Sequence, residues 1–114
     1  MHHRPEPDRS LEEVESEVST SLENHEVILF MKGNALMPQC GYSRKALALI
    51  TMYREDVEVV DVLPALPHYR TVLKEYSGRE TIPQAFVNGE FIGGSDILEQ
   101  LHEQSELEET LESG

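Results

Sequence analysis

Cys40 is the single cysteine in a chain of 114 residues, and its setting decides what it can do. A thiolate is a nucleophile and a soft metal ligand, whereas a protonated, buried thiol is neither. A lone cysteine in a globular chain commonly serves as a small core hydrophobe. The surrounding Gln39-Cys40-Gly41-Tyr42-Ser43 is polar and loop-like instead, and Gly41 leaves the backbone open to close approach. Cys40 also stands immediately before a segment of helical periodicity. Free N–H groups and the positive end of the helix dipole there favour an anion. Lys32, Arg44 and Lys45 are nearby cations in the sequence. With one cysteine no internal disulfide can form, so any redox chemistry must recruit a second thiol from outside the chain.

The elements that must position this thiol can be read from periodicity. Residues 1–9 are rich in Pro, His and Arg and show no pattern, so they read as a flexible tail before a domain spanning 10–114. His2 and His3 have no spaced Cys or His partners, which favours a solvated tail over a metal site. Ser10 with Glu13 three residues on forms a capping box, and Leu11, Val14, Val18 and Leu22 follow at helical spacing. Val27 to Met31 is a short continuous apolar run, the mark of a strand buried on both faces. After the loop through Pro38, residues Ala46, Leu47, Leu49, Ile50 and Tyr53 predict a second helix. Val57 to Val62 is rich in β-branched residues and reads as a strand. Leu66, Tyr69, Val72, Leu73 and Tyr76 predict a third helix.

Thr81-Ile82-Pro83 opens a strand through Val87, and Asn88-Gly89 is a two-residue hairpin signal because both positions want positive φ. Glu90-Phe91-Ile92 returns, Gly93-Gly94 stops it, and Asp96 with Glu99 three residues on predicts a cap for a last helix. Leu107 and Leu111 continue on a C-terminal helix. The order predicts an α/β domain. A parallel pair joined by a helix, followed by a hairpin, makes a four-stranded mixed sheet flanked by helices on both faces.

Charge narrows the function. Acids outnumber bases 22 to 9, a net of −13, and phosphate binding depends on clustered Lys and Arg, so nucleic-acid binding is not expected. The excess acid reads as a solubility device, with adaptation to concentrated salt as the alternative. No apolar run approaches the roughly 18 residues of a membrane span, and Met1 to Pro5 lacks the apolar stretch of a secretion signal. These features point to a cytoplasmic protein that does not engage a membrane.

Four short blocks carry a resemblance: Met31-Lys32-Gly33, Pro38-Gln39-Cys40-Gly41-Tyr42-Ser43, Thr81-Ile82-Pro83-Gln84 and Gly93-Gly94-Ser95-Asp96. In this order and spacing they resemble the signature blocks of the monothiol glutaredoxins, over roughly residues 12 to 111. That family is marked by Cys-Gly-Phe-Ser, and the Cys-Gly-Tyr-Ser here differs by one hydroxyl. The resemblance implies a thioredoxin-like fold and a site for glutathione or a related γ-glutamyl thiol. By matched position, Cys40 is the nucleophile and cluster ligand, and Lys32 and Arg70 hold the glycine carboxylate of the tripeptide. Ile82, before a cis Pro83, offers its backbone to the cysteine part. Gly94, Ser95 and Asp96 receive the γ-glutamyl end.

Glutathione presents two carboxylates and one ammonium, so a matching cleft needs cations, helix-start N–H groups and one acid. Each residue also has a plain structural reading: Lys32 as the end of a strand, Arg70 on a solvated helix face, Asp96 as an N-cap. Two departures stand out. Arg79-Glu80 replaces the usual Trp-Pro, which bears on the floor of the thiol-binding surface and on partner docking. Ser95 replaces a cysteine often found there, removing a candidate resolving thiol.

A [2Fe-2S] cluster normally takes four thiolate ligands. The resemblance implies that two chains supply two and two glutathione molecules complete the set, giving a homodimer when the cluster is bound. It further implies delivery to apoprotein acceptors and pairing with a BolA-like protein. The competing expectation is a monothiol oxidoreductase acting on glutathione mixed disulfides through the same Cys40. A third is a thioredoxin-like binding module with an inert thiol.

Overall fold

Val27–Met31 forms strand β1 with all five side chains buried, because the strand lies between two separate apolar layers. In the computed structural model, which describes residues 9–113, Val27, Leu29 and Met31 face one layer and Ile28 and Phe30 the other. The alternation of side chains along a strand makes this split unavoidable once both faces are covered. On one side lie helices α1 (Leu11–Asn24) and α3 (Leu66–Ser77); on the other lie α2 (Gly41–Thr51), α4 (Ser95–Glu103) and α5 (Leu107–Ser113).

The remaining strands are β2 (Glu58–Asp61), β3 (Gln84–Val87) and β4 (Glu90–Gly93), and the sheet order is β2-β1-β3-β4. β1 pairs parallel with β2, Phe30 opposite Val60, and antiparallel with β3, Ile28 opposite Phe86. The four-stranded mixed sheet with helices on both faces is therefore as the sequence predicts. Phe30, Tyr69 and Phe86 meet in the α1/α3 layer, with Phe30 and Phe86 edge to face at 5.6 Å. Such tilted pairs contribute beyond their area.

Local signals set most boundaries. Ser10 caps α1 in a full capping box, its Oγ accepting the Glu13 N–H at 3.2 Å while Glu13 accepts the Ser10 N–H at 2.8 Å. Asn88 (φ 51°) and Gly89 (φ 81°) make the β3–β4 turn with both residues left-handed, the geometry that suits the strand twist. α2 ends at Thr51, so Tyr53 falls just beyond it and its hydroxyl meets His102 Nδ1 at 2.8 Å. β2 begins at Glu58, and Val62 already belongs to the turn into the short 3-10 segment Leu63–Ala65.

One cap expectation is corrected. Gly94, not Asp96, occupies the N-cap of α4; Asp96 lies in the first turn, and its Oδ1 accepts the Ile97 N–H at 2.9 Å. Glu99 does not complete a capping box but pairs with Lys45 on α2. Of the tail expected over residues 1–9, residues 1–8 lie outside the described residues. Arg9 packs onto the domain, pairing with Glu17 at 3.2 Å and standing over the Tyr69 ring. Among the described residues no helix is long and apolar enough to cross a membrane.

Candidate functional site

The loop between β1 and α2 holds Cys40 in place by closing on itself. Gln39 N–H donates to the Lys32 carbonyl at 2.9 Å, Gly33 bridges Pro38, and Asn34 Oδ1 accepts the N–H groups of Leu36 and Met37 at 2.9 and 2.8 Å. Gly33 has φ +92°, and a Cβ there would lie 2.4 Å from the Met37 carbonyl oxygen and 2.6 Å from Gln39 N. Only glycine fits that turn. Asp61 at the end of β2 ties the loop to the sheet by accepting the Gly33 N–H at 2.9 Å. The tip is apolar and open, with Leu36 93% and Met37 64% exposed.

Cys40 occupies the N-cap of α2 and is half-buried. Burial pushes its thiol up, but the N–H groups of Ser43 and Tyr42, the Ser43 hydroxyl and the Lys32 charge together hold it below its ordinary value of 9.0. Ser43 is fully buried, and its Oγ accepts the Lys32 N–H at 3.1 Å. That leaves the hydroxyl proton for the sulfur. Lys32 thus acts twice, through its backbone on Ser43 and through its charge on Cys40. Lys45, the other lysine near Cys40, is engaged by Glu99.

Tyr42, two residues after Cys40, lines a cleft of about 500 Å³ together with Arg79, Thr81, Ile82, Pro83, Gly94, Ser95 and Asp96; Cys40 itself is not in the lining. The Ile82–Pro83 bond is cis. Gly94 lets the start of α4 approach this turn, since a Cβ there would stand 3.0 Å from the Pro83 carbonyl oxygen. Helix geometry leaves the first-turn N–H groups of Ser95 and Asp96 without intrahelical partners, an arrangement that favours a carboxylate. Tyr42 links cleft to thiol: its N–H favours the thiolate and its exposed side chain forms part of the lining.

Of the residues singled out in the sequence, Ile82, Gly94, Ser95 and Asp96 share the cleft, and Lys32 stands by Cys40. Arg70 is half-buried on α3 and, like Lys32, is not among the cleft lining. Arg79 and Tyr42, read from sequence only as departures, both line it. Arg79 directly precedes the Glu80-Thr81-Ile82-Pro83 turn, and that adjacency was the available signal. Among the described residues no group of three or more His, Cys, Asp or Glu side chains could hold a metal ion; Cys40, the single cysteine of the sequence, is the one thiolate on offer to soft metal chemistry.

A glutaredoxin family model matches residues 27–92. An uncharacterized monothiol glutaredoxin of Synechocystis sp. (ycf64-like) is 44% identical over 100 residues, covering 88% of this chain and 92% of that protein. The chain belongs to the monothiol glutaredoxins. A probable monothiol glutaredoxin of Legionella pneumophila, GrlA, is 46% identical over 84 residues, covering 74% of this chain and 93% of that one. Among solved structures, reduced apo GrxS14 of poplar superposes with a TM-score of 0.76 at 35% identity, covering 87% and 90% of the two chains. The fold is thus thioredoxin-like, and the α2 start and the cis-Pro turn lie within the residues 27–92 that the family model matches.

Proposed function

We propose that this monothiol glutaredoxin carries a glutathione-ligated [2Fe-2S] cluster and transfers it to apoproteins. The observation that carries the reading is one half-exposed, thiolate-favouring cysteine whose neighbour Tyr42 both supports the thiolate and lines a cleft that can seat a small thiol. The chain's sole cysteine supplies one ligand of four. Two chains facing each other supply two, and two bound tripeptides supply the rest. In this reading Cys40 is the protein ligand, and the Ile82 backbone aligns the cysteine part of the tripeptide. The N–H groups of Ser95 and Asp96 receive the γ-glutamyl carboxylate, and the Asp96 carboxylate its ammonium. Gly94 permits the close approach. Lys32 and Arg70 are the cations the family resemblance assigns to the glycine carboxylate.

Half of such a ligand set is not covalently part of the protein, which suits release to an acceptor, whether an apoprotein or a BolA-like partner. A cytoplasmic site accords with one unpaired, reactive cysteine, which a reducing compartment keeps as the thiol. Anaerobic reconstitution with iron, sulfide and glutathione should give a coloured dimer, and omission of glutathione or Cys40→Ser should abolish both colour and dimer. Equal colour in Cys40→Ser would remove the reading.

The lowered thiol pKa also favours a second reading, reduction of glutathione mixed disulfides. The Cys40 thiolate attacks the glutathione sulfur, the target leaves as a thiolate, and a second glutathione then releases glutathione disulfide and regenerates Cys40. Turnover of a glutathionylated substrate at the rate of a dithiol glutaredoxin would rank this reading first.

A further inference from the structure

Arg79 is the sole cationic side chain among the residues lining the cleft, and its place there is built rather than incidental. Gln84, fully buried at the start of β3, donates from Nε2 to the Arg79 carbonyl at 2.8 Å and to the Thr81 carbonyl at 3.0 Å. The Arg79 N–H in turn donates to Ser77 Oγ at 3.1 Å. The backbone that carries the guanidinium is therefore held from both sides. Glu80, the adjacent acid, is drawn to Lys74 at 3.4 Å, and among the described residues no carboxylate lies within ion-pair distance of Arg79. The cation is thus fixed at its root and uncommitted at its tip.

The cleft has two walls. The start of α4 presents Ser95 and Asp96, whose N–H groups suit a carboxylate and whose acid suits an ammonium, together a match for an α-amino acid end. The opposite wall, Arg79 to Pro83, carries one cation and no acid that faces the cleft. A γ-glutamyl tripeptide laid across cis-Pro83 with its amino-acid end on α4 turns its other carboxylate toward that wall. Guanidinium and carboxylate then meet as a charge-assisted pair.

We infer that Arg79 is a specificity-determining residue that pairs with the glycine carboxylate of a bound glutathione-type thiol. This rests on the proposed glutathione site and assigns within it a residue that the resemblance does not. A ligand lacking that carboxylate gives up the pair and binds more weakly, while the γ-glutamyl end is recognised as before.

The test uses the full chain and a balanced exchange: the Cys40 thiolate attacks one sulfur of glutathione disulfide, a Cys40–glutathione disulfide forms, and the other half leaves as glutathione. Its equilibrium constant is read by intact mass, with glutathione disulfide and with the disulfide of glutathione monoethyl ester, whose glycine carboxylate is blocked. The wild type is expected to favour the free acid, and Arg79→Leu to lower that preference by about two- to fivefold, the upper part of the range of an exposed ion pair. Arg79→Lys is expected to recover part of it. An unchanged preference in Arg79→Leu, or an equal loss on both ligands, overturns the inference while leaving the glutathione site standing. If the wild type forms no mixed disulfide with either ligand, the glutathione site itself fails.

Discussion

Removing one oxygen, by Ser43→Ala, separates two jobs that a single buried side chain does. Ser43 Oγ accepts the Lys32 N–H at 3.1 Å, and its hydroxyl helps hold the Cys40 thiol in its charged form. The substitution leaves the Lys32 N–H without its acceptor at the end of β1. An orphaned buried donor costs about 1–3 kcal/mol. Lys32 is half-buried, so water relieves part of the loss, and the low end of about 1 kcal/mol applies. In a domain of this size that lowers Tm by roughly 4 °C.

The second effect is chemical: with one fewer group stabilising the thiolate, the Cys40 midpoint rises toward its ordinary 9.0. Alkylation by iodoacetamide, followed by intact mass from neutral to alkaline pH, reads that midpoint directly, and the urea-unfolded chain supplies the reference. A fallen Tm with an unmoved midpoint refutes the role of the hydroxyl at the sulfur. An unchanged Tm refutes the bond to Lys32.

Three further outcomes follow from the same geometry. Because the folded state lowers the Cys40 pKa, thiolate formation favours folding, so the stability difference between the wild type and Cys40→Ser should grow as pH rises toward the ordinary value and shrink as pH falls through the folded one; denaturant titrations at several pH values that show the opposite slope contradict the direction of the shift. Gly33→Ala places a Cβ 2.4 Å from the Met37 carbonyl oxygen at φ +92°, and left-handed strain with overpacking should cost about 2–4 kcal/mol in denaturant melts. Arg54, whose side chain is 16% exposed, donates to Asp56 and Glu26 at 2.8 Å and to the Leu111 carbonyl at 2.8 Å; Arg54→Met should lose about 1–3 kcal/mol, and less in molar salt, which screens the ionic part but not the carbonyl bond. A loss that does not change with salt would assign the stabilisation to the carbonyl bond alone.

Much of the architecture was legible in the sequence because burial leaves a local trace. The unbroken Val27–Met31 run announced a strand covered on both faces, Ser10 with Glu13 announced the first cap, and Asn88-Gly89 announced the hairpin; all three stand in the structure. The placement of Cys40 before a helix was likewise local, since periodicity begins just after it. Where competing local cues existed, sequence reading slipped. Asp96 has the side chain of a cap, yet Gly94 takes that position because the helical backbone already begins at Ser95, where the chain turns past the Pro83 carbonyl with a Cβ on Gly94 only 3.0 Å from its oxygen.

The cleft itself was decided by tertiary structure. Arg79 and Asp96 belong to different segments, and only the packing of α4 against the cis-Pro turn makes them face one space. The partition of cations is equally non-local: Lys45 is taken by Glu99, 54 residues away, whereas Lys32 acts on Cys40. Hydrophobic spacing records which face of an element is covered. The partner of a charge depends on which element does the covering, and that is settled only when distant segments meet.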